Sequence, residues 1–293
     1  MSAGRRIGAA VAARSVTALM RAALEDHPPG GQQRWLRTNH RCEDVSMLEG
    51  PAVAVGLVVG ALVASPDRRA ALATTIATSA GGVFGVIDDL AEDTEDKRKG
   101  LRGHLGALAH GRLTTGGLKV LGIGVGALVA AAVATPAHRT DGSRRSAVGW
   151  GLDVATSGAL IATSANLVNL LDLRPGRALK AATIAAAPVS FLPGRGGSAA
   201  SAVLGASAAA ADQDLAETDM LGDGGANALG AALGTSLVLS APRPVRLGAL
   251  AITTALTVAS ERVSFTRVIE STPVLRDLDR WGRRRLPPPS PRP

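Results

Sequence analysis

Apolar and polar positions follow one another along this chain in long blocks. A helix needs about 20 mostly apolar residues to cross the hydrocarbon core of a bilayer. Blocks over 7–24, 47–65, 69–87, 118–137, 148–166, 178–193, 197–212, 225–242 and 246–260 approach that length and predict eight or nine spans. The first is a weak span or a membrane-surface helix, because Arg14 interrupts it. Turn signals fall between blocks, in "SPDRR", "TPAHRTDGSRR", "LPGRGG" and "APRPVR". The opening "MSAGRRIGAAVAARSVTALM" has a basic start, but no convincing cleavage site follows it, so no signal peptide is expected. No polar domain separates the blocks. The expected architecture is all-α, a polytopic transmembrane helix bundle in one membrane-embedded domain over 1–270. A basic, Pro-rich cytoplasmic tail over 271–293 follows it.

Composition supports this reading. Hydrophobic residues make up 46% of 293, mean hydropathy is +0.20, and aromatics are only 2% with no Tyr. A soluble domain of this length would carry more charge and more aromatics. Ala, Gly, Val and Leu supply the apolar content, and small residues let membrane helices approach closely. The net charge of +8 and pI near 11.0 do not indicate nucleic acid. Only four of the 32 cations are Lys, which with the Ala and Gly excess reads as high-GC coding bias. There is also no basic stripe interleaved with aromatics to stack bases. The single Cys42 excludes an intrachain disulfide framework and a thiolate metal cluster, and His27, His40, His104, His110 and His138 show no ligand spacing.

The spans sort the loops into two sets. One set, 25–46, 88–117, 167–177, 213–224 and the segment after 260, holds 20 Lys or Arg if Lys119 and Lys180 are included; the other holds eight. The positive-inside rule places the first set in the cytoplasm. Every unusual polar cluster lies on that side. In "GVFGVIDDLAEDTEDKRKGLRGH", Asp88 and Asp89 end the third block. In "NLVNLLDLRPGRALK", Asn166, Asn169 and Asp172 recur at i, i+3 and i+6, on one broad helical face, before Pro175 and Gly176 stop the helix. In "DMLGDGGANALGAALG", Asp223 opens the eighth block.

Such groups are costly at a membrane boundary unless they face a wet cavity, a metal or each other. Carboxylate and amide oxygens suit Mg²⁺, with Mn²⁺ as an alternative, joined to substrate phosphates. Lys97, Arg98, Lys99, Arg102, Arg177 and Lys180 are nearby cations for those phosphates. Together these are the parts for phosphoryl transfer at a membrane surface. Each cluster also has a plainer reading. The Asp pair is a solvated helix end, "GDGG" a turn, "DTEDKRK" an exposed loop, and the two Asn hydrogen-bond neighbouring helices. Co-occurrence on one side carries the functional reading.

In this order the clusters resemble the polyprenyl-phosphate N-acetylhexosamine-1-phosphate transferases. That family includes the phospho-MurNAc-pentapeptide translocase and the GlcNAc-1-phosphate transferases of teichoic-acid and O-antigen assembly. Asp88 and Asp89 look like the family's Asp-Asp motif. Asn166, Asn169 and Asp172 look like its Asn-x-x-Asn-x-x-Asp motif, and Gly222, Asp223 and Gly225 its Gly-Asp-x-Gly-Ser motif. The resemblance covers roughly 34–270. It implies a multi-span bacterial cytoplasmic-membrane enzyme with cytoplasmic catalytic loops. That enzyme moves a sugar 1-phosphate from a UDP-sugar to a polyprenyl phosphate, with release of UMP and a requirement for Mg²⁺. It implies Asp223 and Asn169 at the metal and Asp88 and Asp89 as catalytic groups beside the lipid phosphate. Asn166, Asp172, Lys97, Arg177 and Lys180 would bind substrate; a homodimer is allowed. Four departures mark a divergent branch: "DLRPGR" places Leu173 and Pro175 where the family continues Asp-Gly-x-Asp-Gly, Ala226 replaces the motif Ser, and the late His cluster and a tenth span are missing. The rival expectation is a non-catalytic relative that binds polyprenyl phosphate or a cell-wall precursor as a regulator or partner. A transporter or scaffold is a third, without the internal repeat a transporter often shows.

Overall fold

The computed structural model describes residues 2–91, 115–138 and 142–284. Among them the chain is all-α apart from one small hairpin. The helices are α1 (Ala3–Asp26), α2 (Glu49–Ala64), α3 (Arg68–Ala91), α4 (Thr115–Ala134), α5 (Ala147–Leu171) and α6 (Arg177–Phe191). They continue as α7 (Gly197–Ala216), α8 (Gly222–Ser240), α9 (Arg243–Ser260), α10 (Phe265–Ser271) and α11 (Pro273–Arg280). All nine apolar blocks are helical. Four helices, α1, α3, α4 and α5, are long and apolar enough to cross a membrane; α2 is a shorter apolar helix. The others differ for local reasons. α6 has only 15 residues and contains Pro188, and α7 and α8 are rich in Gly, Ser and Ala. The segment expected as a tail from 271 instead begins with α11.

α8 is the axis of the fold. It is buried along nearly its whole length, as expected of a helix without a polar face. It packs against α2, α3, α5 and α7. The core is made chiefly of alanines: Leu57, Leu160, Ile161, Leu221 and Leu229 are the largest fully buried apolar side chains, and no aromatic is among them. With so little side-chain volume, the helices are held by close backbone approach. On the outside, Ile7, Val63, Val125, Val148, Phe191 and Ile252 are more than half exposed.

The polar segment after α1 is ordered by its own side chains. β1 (Leu36–Thr38) and β2 (Asp44–Ser46) pair antiparallel. The Asn39 side-chain oxygen accepts from the N–H groups of Arg41 (2.8 Å) and Glu43 (3.0 Å), closing the bend, and Cys42 takes the left-handed conformation there. The hairpin then docks beside the start of α8. Ser46 donates to the Thr218 carbonyl (3.0 Å), and Met220 donates to the Ser46 carbonyl (2.8 Å). At the opposite end of the bundle, Asp153, which breaks the fifth apolar block, is paired with Arg145 and with Arg243 (3.3 Å).

Candidate active site

The three polar clusters lie at the ends of α3 and α5 and the start of α8, and the helix packing brings these ends together. Gly85 of α3 lies so close to α8 that a methyl group there would overlap the Asp223 carbonyl. One turn further, the Asp89 carboxylate accepts from the N–H groups of Asp223 (3.0 Å) and Gly224 (2.9 Å). It thus satisfies two of the orphan donors at the N-terminus of α8. Gly222 has a φ of +59°, and a Cβ there would press on the Asp89 oxygens, so glycine lets the chain turn into α8 against that carboxylate. Asp223 is held in place from below as well, because the Asn227 side chain donates to its carbonyl (2.7 Å).

Asp88 faces elsewhere. The Lys119 ammonium lies 2.6 Å from Asp88 and also contacts the Asp223 carboxylate, so one cation joins two carboxylates from different helices. Among the described residues no three His, Cys, Asp or Glu side chains are grouped as a metal centre. The two oxygen donors on one cation nevertheless fit the donor chemistry of Mg²⁺, which often takes only one or two protein carboxylates and completes its shell with water and phosphate.

Two cavities meet beside this pair. One, of about 580 Å³, is polar and is lined by Asp89, Asn169, Asp172 and Asp223 together with Arg37 and His40. The second, of about 350 Å³, lies between α4, α5 and α9; Val120, Ile123, Ala162 and Leu170 give it apolar walls, and Lys119 and Asn166 give it polar ones. Asn169 and Leu170 belong to both linings.

The expected residues therefore divide. Asp88, Asp89, Asn169, Asp172 and Asp223 converge. Asn166 turns to α9, donating to the Thr257 hydroxyl (3.2 Å), which is the interhelical contact its plainer reading anticipated. Arg177 and Lys180 do not line either cavity; Arg177 forms a fork on Asp279 (2.8 and 3.2 Å), and Lys180 donates to the Asp279 carbonyl (2.7 Å). Lys97 lies outside the described residues. Of the positions that depart from the family motifs, Leu173 and Pro175 line the polar cavity, whereas Ala226 is fully buried in the main core.

The sequence reading missed Lys119 as a site residue and counted it only as a charge. Its signal was a lone ionisable side chain within an apolar helix, which makes it a candidate functional position. Arg37, His40 and Asp214 were also missed. Arg37 contacts the Asp89 carbonyl from the hairpin, and Asp214 accepts from the Gly176 N–H (3.3 Å) at the turn between α5 and α6. No spacing rule links any of the three to the motifs.

Comparison with protein-family models and with curated proteins finds no match.

The polar cavity is strongly acidic. Burial and the charges of Asp214, Asp223 and Asp89 raise Asp172 well above the usual carboxylate range. Burial pushes Asp214 up to about 7, against the pull of the Gly176 N–H, Arg283 and Lys180. His40 is moved the other way, its pKa lowered by burial and by Arg174. The folded chain keeps the Asp214 proton to about pH 7, whereas the unfolded chain loses it near about 3.9. The folded state therefore binds more protons within that window, and stability falls as pH rises through it and levels off above. Asp214→Asn is expected to flatten this dependence and to raise Tm by several degrees above neutral pH. Tm of both proteins in detergent across the window checks this, and parallel profiles would contradict it.

Proposed function

We infer that the chain is a membrane phosphotransferase that moves a sugar 1-phosphate from a UDP-sugar to a polyprenyl phosphate in bacterial envelope synthesis. The observation that carries this is the meeting of Asp88 and Asp223 on one cation where a polar and an apolar cavity share a wall. The four long apolar helices and the exposed aliphatic side chains support a membrane-embedded helix bundle, to which this reading assigns eight or nine spans. The loop charges orient the site toward the cytoplasm.

In this reading the lipid tail lies along the apolar cavity with its phosphate beside Lys119 and Asn169. The UDP-sugar enters the polar cavity past Arg37 and His40. Asp88 and Asp223 would hold Mg²⁺, which when bound neutralises diphosphate charge. A lipid phosphate oxygen forms a bond to the sugar-linked phosphorus as the bond from that phosphorus to the bridging oxygen breaks, and the electron pair leaves with UMP. Little covalent chemistry is required of the protein, so positioning and charge dominate. Lys119 orients the attacking phosphate. Asp89 positions Asp223 by fixing the first turn of α8, each of its oxygens accepting one backbone hydrogen bond.

A second reading, binding of polyprenyl phosphate without catalysis, is favoured by one feature: the Lys119 ammonium itself bridges the two carboxylates, where the metal would sit. UMP release by the purified protein separates the two. Undecaprenyl phosphate, Mg²⁺ and a panel of UDP-N-acetylhexosamines would be supplied in detergent. Lipid-dependent release supports the transferase. Lipid binding without release supports the binding protein, and absence of both removes both readings.

A further inference from the structure

The helix α11 has its polarity reversed relative to a helix covering a protein in water. On its inner side Asp279 is buried against the bundle, and Thr272 and Arg283, which flank the helix, are partly buried. Asp279 meets Arg177 and Arg283 (2.7 Å) there, and Arg283 also donates to the Pro175 carbonyl (2.8 Å). On the opposite side Val274, Leu278 and Trp281 stand at i, i+4 and i+7, one stripe of a helix, and are 77%, 40% and 74% exposed. A solvent-facing helix places these groups the other way round.

We propose that α10 and α11 lie flat on the anionic surface of the bilayer that holds the bundle, with the Val274–Leu278–Trp281 stripe sunk into the boundary between headgroups and acyl chains. This rests on the membrane reading given above. Three observations select lipid as the occupant. Ile252 and Val258 of α9, and Val263 and Val268 between it and α11, are exposed aliphatic side chains as well. α11 is fastened to Arg177 and Lys180, the first turn of α6, so it sits at the level where that helix would enter the bilayer. Beside Trp281 a cleft of about 780 Å³ is lined by four arginines and Asp277; Arg41 and Arg284 are paired with Glu217 and Glu43, and the exposed Arg280 is the cation placed to meet headgroup phosphates. An amphipathic helix with basic flanks and a Trp at the interface is the form that lies in the membrane plane.

Cys42 is the only cysteine, so a Cys42→Ser background allows single-site spin labelling of the full chain in vesicles containing phosphatidylglycerol. Labels at Val274→Cys in α11, Val125→Cys on the outer face of α4 and Asp277→Cys on the exposed polar flank would be compared by collision with oxygen and with a water-soluble nickel chelate. The expected result is a ratio of oxygen to nickel collisions at Val274 severalfold above that at Asp277 and close to that at Val125. Replacing the anionic lipid with phosphatidylcholine should lower the Val274 ratio while leaving Val125 unchanged. A Val274 ratio equal to that of Asp277, with Val125 still lipid-facing, overturns the proposal and leaves the membrane reading standing. Val125 open to the chelate overturns the membrane reading itself, and the proposal with it. A Val274 label protected from both reagents shows a protein contact, such as a second copy, and overturns the proposal too.

Discussion

Asp223→Asn is expected to lower lipid-dependent UMP release by about 10²–10³-fold, the loss seen when one preorganised charge-stabilising group is removed from a reacting centre. Asp223 is one of two carboxylates that share the Lys119 ammonium, and its backbone is fixed by Asp89 and Asn227. The amide therefore changes the charge while leaving the first turn of α8 in place. The loss should fall on kcat, with KM changed little, because the charge acts most strongly on the transition state. Asp89→Asn tests a different role. It removes a charge-assisted cap from α8, so it should lower Tm as well as activity, whereas Asp223→Asn should leave Tm nearly unchanged. Full activity in the Asp223 variant would remove the catalytic reading of the pair.

Arg177→Ala is expected to cost about 3–5 kcal/mol of stability, the typical penalty for stranding one member of a buried ion pair. Arg177 and Asp279 are only 5% and 7% exposed, and their contact joins positions 102 apart in the chain. Without the guanidinium, Asp279 keeps only Arg283 as an ion-pair partner among the described residues, and Thr266 of α10 also loses its hydrogen bond. The C-terminal helices should detach before the bundle unfolds, which limited trypsin digestion would register as early loss of the segment after 262. The double change Arg177→Met with Asp279→Leu should recover most of that stability, since apolar groups of similar size replace a buried pair at little cost. Equal losses in the single and double variants would show that the pair itself contributes the stability.

Helix identity was legible in the chain because it depends on local content. Nine apolar blocks became nine helices, and Asp172, Pro175 and Gly176 end α5 and begin α6 where the sequence placed the break. The motif clusters were legible for a similar reason: side chains three or four apart on one helix share a face whatever surrounds the helix. Which partners those side chains meet depends on packing. Asn166 and Asn169 are three residues apart, yet one bonds Thr257 of α9 and the other lines both cavities.

The sequence by itself determined an all-α chain, the positions of its helices, and the three segments whose carboxylates and amides supply the candidate site. Only the tertiary structure decided that Lys119 joins Asp88 to Asp223, that Asp89 serves as the cap of α8, and that Arg177 and Lys180 fasten α11. These contacts link residues about 30 to 130 apart. Such pairings are fixed by how closely Gly- and Ala-lined helices approach one another, and no periodicity within a single helix encodes that distance.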